Sequence, residues 1–205
     1  MSKLEILKKH LESSLNKYNV EIYSNLDTIN IKSKKIHIIK VIKFLKEDSK
    51  CLFSQLIDVT AVDYINKKQR FEIIYILLSH KHNTRLLLKT TISENENINS
   101  ICNIFPSANW YERECYDLFG VIFDEHPDLR RIMTDYNFVG HPLRKDFPLT
   151  GHTEVRYDNL QKKVIYEPVK LQQEYRNFDY ASPWEGFSKE FINKDNLSDI
   201  DNGSE

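Results

Sequence analysis

Neither glycine nor proline occurs in the first 105 residues of this 205-residue chain; all five glycines and all six prolines stand at or after Pro106. These residues punctuate regular structure. Their absence predicts continuous helix and strand in the N-terminal half, and their arrival predicts turns and extended chain beyond it. Arginine is missing until Arg70, and Glu5 and Glu12 are present, which argues against a mitochondrial presequence. Glu5, Lys8, Lys9 and His10 interrupt the apolar stretch that a secretory signal needs. No hydrophobic run approaches the ~20 residues of a membrane-spanning helix, so membrane association is expected only through a partner. A basic excess is lacking as well: 29 Lys+Arg against 30 Asp+Glu give a formal charge of −1, which makes nucleic acid a poor ligand class. The three cysteines, Cys51, Cys102 and Cys115, form no C-x-x-C pair. They argue against a disulfide framework or a closed zinc site, and for a reduced, cytoplasmic protein. Phosphate loops, dinucleotide fingerprints and G-x-S-x-G elbows are also absent.

What is present is periodicity. Leu4, Leu7, Leu11 and Leu15 mark one face of an amphipathic helix, and Ile38, Val41, Ile42 and Leu45 another. Residues 19–23 and 28–32 alternate as short strands. Residues 56–64, 70–79 and 84–92 read as three strands joined by short polar links, an antiparallel meander. A further helix is expected around 98–105. The fold class is therefore α+β: an antiparallel or mixed sheet with helices packed on it, followed by a long extended C-terminal tail.

The second half opens with a charged helix. Asn109 reads as its N-cap with Glu112 at N3, and Gly120 suits the position just past its end. Tyr111, Cys115, Leu118 and Phe119 make its apolar stripe. After Gly120 no long periodic segment survives, and so long a stretch without core pattern is unusual inside a domain. The division is therefore 1–125 as a globular domain, 126–187 as an extended segment laid on a partner, and 188–205 as a polar, disordered tail. Tyr157, Tyr166, Tyr175, Phe178, Tyr180 and Trp184 give the middle segment an aromatic content unlike plain disorder.

Glu112, Glu114 and Asp117 offer the side chains of a general acid and base. On a helix, however, Glu112 and Glu114 diverge by ~200°, whereas Arg113 and Asp117 stand at i, i+4 and can pair. Arginine usage supports pairing. Residues 1–105 hold fifteen lysines and two arginines; residues 106–152 hold one lysine and four arginines, Arg113, Arg130, Arg131 and Arg144. The planar guanidinium suits buried, oriented ion pairs. His126 and His141 each precede a proline and read as turn anchors bonded to backbone carbonyls. With His152, they show no local metal spacing. Cys115 reads as a buried thiol.

Glu112-Arg113-Glu114, Asp117-Leu118-Phe119-Gly120, HPDLRRI (126–132) and GHPLRKDFP (140–148) resemble the signature of the C subunit of respiratory complex I, the proton-pumping NADH:quinone oxidoreductase. The likeness extends through EVRYD, YEPV and YRNFDYASPWEG, leaves 187–205 uncovered, and departs at Asp124-Glu125, where many members carry a glycine. The resemblance implies a peripheral-arm subunit that itself binds no flavin, iron–sulfur cluster, NADH or quinone. FMN, clusters, NADH and quinone would then belong to the holoenzyme. It further implies packing against the complex's D subunit, near its B and I subunits, on the cytoplasmic side of the bacterial inner membrane. Glu112, Arg113, Glu114, Asp117, Gly120, His126, Pro127, Arg130, Arg131, His141, Pro142, Arg144, Lys145, Asp146, Phe147 and Trp184 are the signature residues expected to serve that interface. Two other readings stand beside it. One is the homologous module of a membrane-bound hydrogenase or chloroplast-type dehydrogenase; the other is a stand-alone hydrolase using Glu112, Asp117 and His126.

Overall fold

A computed structural model describes residues 3–26, 28–171 and 173. By contact the chain divides into two units, residues 1–152 and residues 153 onward. The sequence division at 125/126 thus falls inside the first unit. Residues 126–152 pack against that unit instead of running free of it. Trp184 and the expected tail end lie outside the described residues.

The first unit is built on a five-stranded sheet, ordered β1-β2-β5-β4-β3. Its strands are β1 (Glu21–Asn25), β2 (Thr28–Lys32), β3 (Gln55–Asp63), β4 (Phe71–Ser79) and β5 (Thr84–Ile92). β3, β4 and β5 form the expected antiparallel meander, with Tyr75 opposite both Val59 and Leu88. β2 joins β5 in parallel, a pairing that requires the long crossover the intervening chain supplies.

Strand alternation decides which side chains enter the core. Val59, Ala61, Phe71, Ile73, Tyr75, Leu77, Leu86 and Leu88 are buried, and they share one cluster with Ile29 and Ile31 of β2. The same cluster takes Leu7, Leu11 and Leu15 from α1 (Lys3–Leu15) and Ile38, Val41, Ile42 and Leu45 from α2 (Ile38–Glu47). The helices therefore cover one sheet face, as the α+β reading requires. Truncating a fully buried Leu or Ile here costs about 2–5 kcal/mol.

The expected helix at 98–105 is not formed. Ile98–Asn99 is a short strand, β6, paired in parallel with β7 (Phe123–Asp124), and residues 101–105 make a single turn, closed by Phe105 N–H on Ile101 O at 2.9 Å. Ile98, Ile101 and Phe105 are all buried. A strand followed by a turn has imitated the spacing of a helix face.

α3 runs Ala108–Phe119, starting two residues earlier than an Asn109 N-cap implies. Ser107 occupies the N-cap position without a side-chain bond, so Asn109 lies in the first turn and the Asn109–Glu112 capping box does not form. The αL geometry expected after the helix does form, with Gly120 at φ +77°. Cys115 is buried as expected, its thiol 3.1 Å from Val59 O, which sets α3 against β3.

The second unit contains a hairpin, β8 (Thr153–Asp158) with β9 (Lys163–Pro168), where the sequence reading placed extended chain. Val155 pairs with Tyr166 and Tyr157 with Val164, making one apolar face. Arg156 and Glu167 form an ion pair. All four face residues remain more than half exposed, and a two-stranded hairpin alone is only marginally stable in water.

Candidate functional site

The C-terminal half of α3 positions a buried carboxylate, Asp117. Its Oδ2 accepts three consecutive backbone N–H groups, Ile132 (3.0 Å), Met133 (2.7 Å) and Thr134 (2.8 Å). Its Oδ1 accepts Arg131 Nη1 at 2.8 Å and the Thr134 hydroxyl at 2.6 Å. Burial opposes the charge, but the Thr134 hydroxyl and these N–H groups outweigh it and hold the carboxyl well below the usual range. The expected Arg113–Asp117 pair is thereby overturned. Arg113 instead donates to the carbonyls of Arg130 and Arg131 at 3.2 and 3.3 Å and lies over the Trp110 ring. Five donors offered to one carboxylate outcompete a single helical neighbour.

Past Gly120 the chain returns across the helix end. His141 Nδ1 donates to Asp117 O at 2.8 Å, and Arg144 Nε donates to Phe119 O at 2.6 Å. These are carbonyls that a helix C-terminus leaves without partners. Gly120 permits the approach: a Cβ there would lie 2.5 Å from Arg144 Nη2 and 2.7 Å from the His141 ring. Gly140, at φ +97°, has the Phe147 ring where its Cβ would be, and Phe147 stacks on Phe138 at 5.7 Å. Burial lowers the affinity of His141 for a proton, aided by Arg144 and Arg131. The carbonyl bond expected of His141 is present, and His126 makes its own to Asn109 O at 3.1 Å.

A second carboxylate fastens the far end. Asp63 grips Arg70 bidentately, Nε at 2.8 Å and Nη2 at 2.9 Å, and accepts Lys145 N–H at 2.8 Å. Arg70 also reaches Asp146 at 3.0 Å and Glu94 at 3.1 Å, and Glu94 accepts Arg144 Nη1 at 2.8 Å. Arg70 holds the Asp63 carboxyl below its ordinary range. Asp63, Arg70, Glu94 and Thr134 were not singled out from the sequence. Asp63 was within reach of it, since Val59, Ala61 and Asp63 share the buried phase of β3; an aspartate there requires a cation.

Glu112 forms a third, separate corner. It is fully buried, accepting the Ser100 hydroxyl at 2.6 Å and Ile101 N–H at 2.8 Å. Desolvation raises its carboxyl above the usual range. His126 Nε2 lies 3.9 Å away and Cys102 is adjacent. Asp128 N–H donates to His126 Nδ1 at 3.0 Å while Nε2 donates to Asn109 O, so both ring nitrogens are committed to the turn.

The hydrolase reading loses its geometry here. Glu112 and His126 are both closed off from solvent and stand beyond hydrogen-bond reach of each other. Asp117 is saturated by donors in a different cradle. Glu114 is partly exposed, as are Pro142 and Phe147, whereas Pro127, Arg130 and Lys145 are exposed. Arg130 pairs with Asp128 at 3.0 Å.

Residues 126–148 thus form a strap in which Arg131, His141 and Arg144 turn inward while several apolar side chains turn out. Tyr136 is 94% exposed, Val139 82%, Met133 64% and Leu143 50%; Leu149, just beyond, is 83% exposed. Trp110 and Ile122 are exposed as well. Among the described residues no helix is long and apolar enough to cross a membrane.

The chain is similar to known proteins over most of its length. The family model described as respiratory-chain NADH dehydrogenase, 30 Kd subunit, matches residues 31–153. The chain is 56% identical over 158 residues to the C subunit of the NADH-quinone oxidoreductase of Ruegeria sp. (strain TM1040), covering 77% of this chain and 79% of that one. It is 46% identical over 187 residues to the protein of the same name from Rhodospirillum rubrum, covering 91% and 88%. Among solved structures it is similar to a chain of the membrane-bound sulfane sulfur reductase, an archaeal respiratory membrane complex. That match has a TM-score of 0.60 and 27% identity, and covers 71% of this chain and 85% of that one. The chain belongs to the family of the respiratory-chain NADH dehydrogenase 30 Kd subunit.

Proposed function

We propose that this chain is a non-catalytic subunit of the peripheral arm of a proton-translocating NADH:quinone oxidoreductase, and that the 126–149 strap is its principal docking surface. The observation that carries the reading is the inversion of that strap. Arg131, His141, Arg144 and the Lys145 N–H spend their donors on α3 and Asp63. Met133, Tyr136, Val139, Leu143 and Leu149 face outward. A concentration of exposed apolar side chains of this kind marks an interaction site. Arg131, His141 and Arg144 therefore shape the surface from beneath, and exposed apolar and aromatic residues make the contact.

The D subunit of the complex is the principal partner in this reading, with the B and I subunits nearby, on the cytoplasmic side of the inner membrane. FMN, iron–sulfur clusters, NADH and quinone are held by the other subunits. The Val155/Tyr157/Val164/Tyr166 face of the hairpin is a second contact, since a hairpin of this size needs a support. Relatives at 46–56% identity carry the quinone oxidoreductase name, which favours this assignment over a hydrogenase-type module.

The test is affinity purification of the tagged full chain from solubilised membranes, followed by identification of the bound chains. NADH:quinone reductase activity is then measured in the complex and in the isolated chain. Recovery of quinone oxidoreductase subunits, with activity in the complex alone, is expected. Quinone reduction by NADH in the isolated chain would overturn the proposal.

A further inference from the structure

Away from the strap, α1 and the turn that ends α2 bring an imidazole, a carboxylate and a thiol together. His10 Nε2 lies 3.0 Å from Asp48 Oδ1, and the ligand atoms of His10, Asp48 and Cys51 all lie within 4.8 Å of one another. The turn is stiff. Asp48 N–H bonds Phe44 O, Cys51 and Leu52 N–H both return to Asp48 O, Phe53 N–H bonds Leu45 O, and Leu52 holds φ +44°. Lys50 N–H donates to Asp48 Oδ1 at 3.0 Å and orients the carboxylate. Cys51 is fully buried, whereas the His10 and Asp48 side chains are about one-fifth exposed. His10 also lines a cleft of about 250 Å³ with Ile6, Ser49, Lys50 and His82.

We propose that His10, Asp48 and Cys51 form a three-ligand site for a thiophilic divalent transition metal, with Zn²⁺ the reference ion. The donor set, one nitrogen, one oxygen and one sulfur, suits Zn²⁺, whose bonds to them run about 2.0–2.3 Å. Ligands that distance from one ion are separated by roughly 3–4 Å, which the cluster meets with small side-chain shifts. Charge balances too: the Asp48 carboxylate and a Cys51 thiolate neutralise the dication, leaving no net charge in a mostly buried site. Binding displaces the Cys51 thiol proton to solvent and leaves the ring hydrogen of His10 on Nδ1.

The Cys102–Glu112–His126 trio offers the same donor types, but there both His126 nitrogens and the carboxylate are engaged by backbone and Ser100. At His10, by contrast, Nε2 is bonded to a co-ligand. The C-x-x-C criterion overlooks such a site because one ligand comes from α1 and two from a turn 38 residues later. A metal here would clip α1 to the end of α2. The site is independent of the proposed function.

The experiment titrates the chelator-treated full chain with ZnCl₂ by calorimetry and with CoCl₂ by electronic absorption. One equivalent should bind, with a thiolate-to-cobalt charge-transfer band and tetrahedral d–d intensity. Cys51→Ser should abolish the band. His10→Gln, at a partly exposed position where folding is preserved, should weaken binding at least about 100-fold, beyond the range of outer-shell changes. Cys102→Ser should leave both readouts unchanged. Absence of the charge-transfer band, its persistence in Cys51→Ser, or undiminished affinity in His10→Gln would each overturn the proposal.

Discussion

Asp117→Asn is the most informative single perturbation of the strap. In the better amide orientation, the carboxamide oxygen replaces Oδ2 and keeps the N–H groups of Ile132, Met133 and Thr134. The NH₂ group then faces Arg131 Nη1, donor against donor, where a 2.8 Å charge-assisted bond had been. Flipping the amide instead turns NH₂ against three backbone N–H groups. Arg131 retains Gly140 O at 3.0 Å, so its charge is not wholly stranded. Loss of one charge-assisted bond and partial desolvation of the guanidinium give a destabilisation of about 3 kcal/mol. At roughly 2–4 °C per kcal/mol for a chain of this size, the melting temperature should fall by about 6–12 °C. The sign of the pH dependence follows from the lowered carboxyl. The stability it contributes is present above the ordinary aspartate pKa and is lost as pH falls through the lower folded-state value. Urea unfolding at pH 7 and at stepwise lower pH should show the wild type converging on Asp117→Asn as acidity rises. A variant within about 0.5 kcal/mol of wild type at pH 7, the scatter of ordinary surface changes, would refute the cradle.

Other changes test neighbouring parts. Gly120→Ala meets Arg144 and the His141 ring and occupies φ +77°, so it should cost at least about 2 kcal/mol in chemical denaturation, more than a left-handed alanine alone. Arg144→Ala removes the bonds to Phe119 O and Glu94 and should lower stability by about 1–3 kcal/mol; an unchanged melting temperature would return Arg144 to the partner-facing role first expected of it. Glu125 sits at φ +61° immediately before His126, so Glu125→Gly should raise stability by up to about 1 kcal/mol, with a loss counting against strain there.

Most of the sheet and two helices were legible because their burial is periodic. Leu7, Leu11 and Leu15 face one core, and β4 alternates along its whole length. What was not legible depended on partners distant in sequence. Nothing local to Asp117 announces Arg131 or Thr134, and the adjacent Arg113 offered a plausible but weaker partner. Glu112 looked like a cap because its spacing from Asn109 fits one, yet Ser100 and Ile101 supply better donors from the preceding loop. The hairpin at 153–168 escaped notice because neither face is buried, so its Val155/Tyr157 and Val164/Tyr166 alternation carried no core signal. Arg131 and Arg144 do pair with carboxylates, as the arginine usage suggests, but their partners Asp117 and Glu94 emerge only from the return of the strap across α3, and Arg113 bonds to backbone carbonyls instead.

Whether the strap is a contact surface rather than only a brace is tested most directly by the paired substitution Tyr136→Asp with Val139→Asp. Both side chains point to solvent, so the melting temperature of the isolated full chain should stay within about 2 °C of wild type, as surface changes do. Native electrophoresis of membranes from cells carrying the variant should show the subunit missing from the assembled NADH:quinone oxidoreductase, with quinone-linked NADH oxidation lost. Full incorporation and activity in the doubly substituted chain would contradict the docking role.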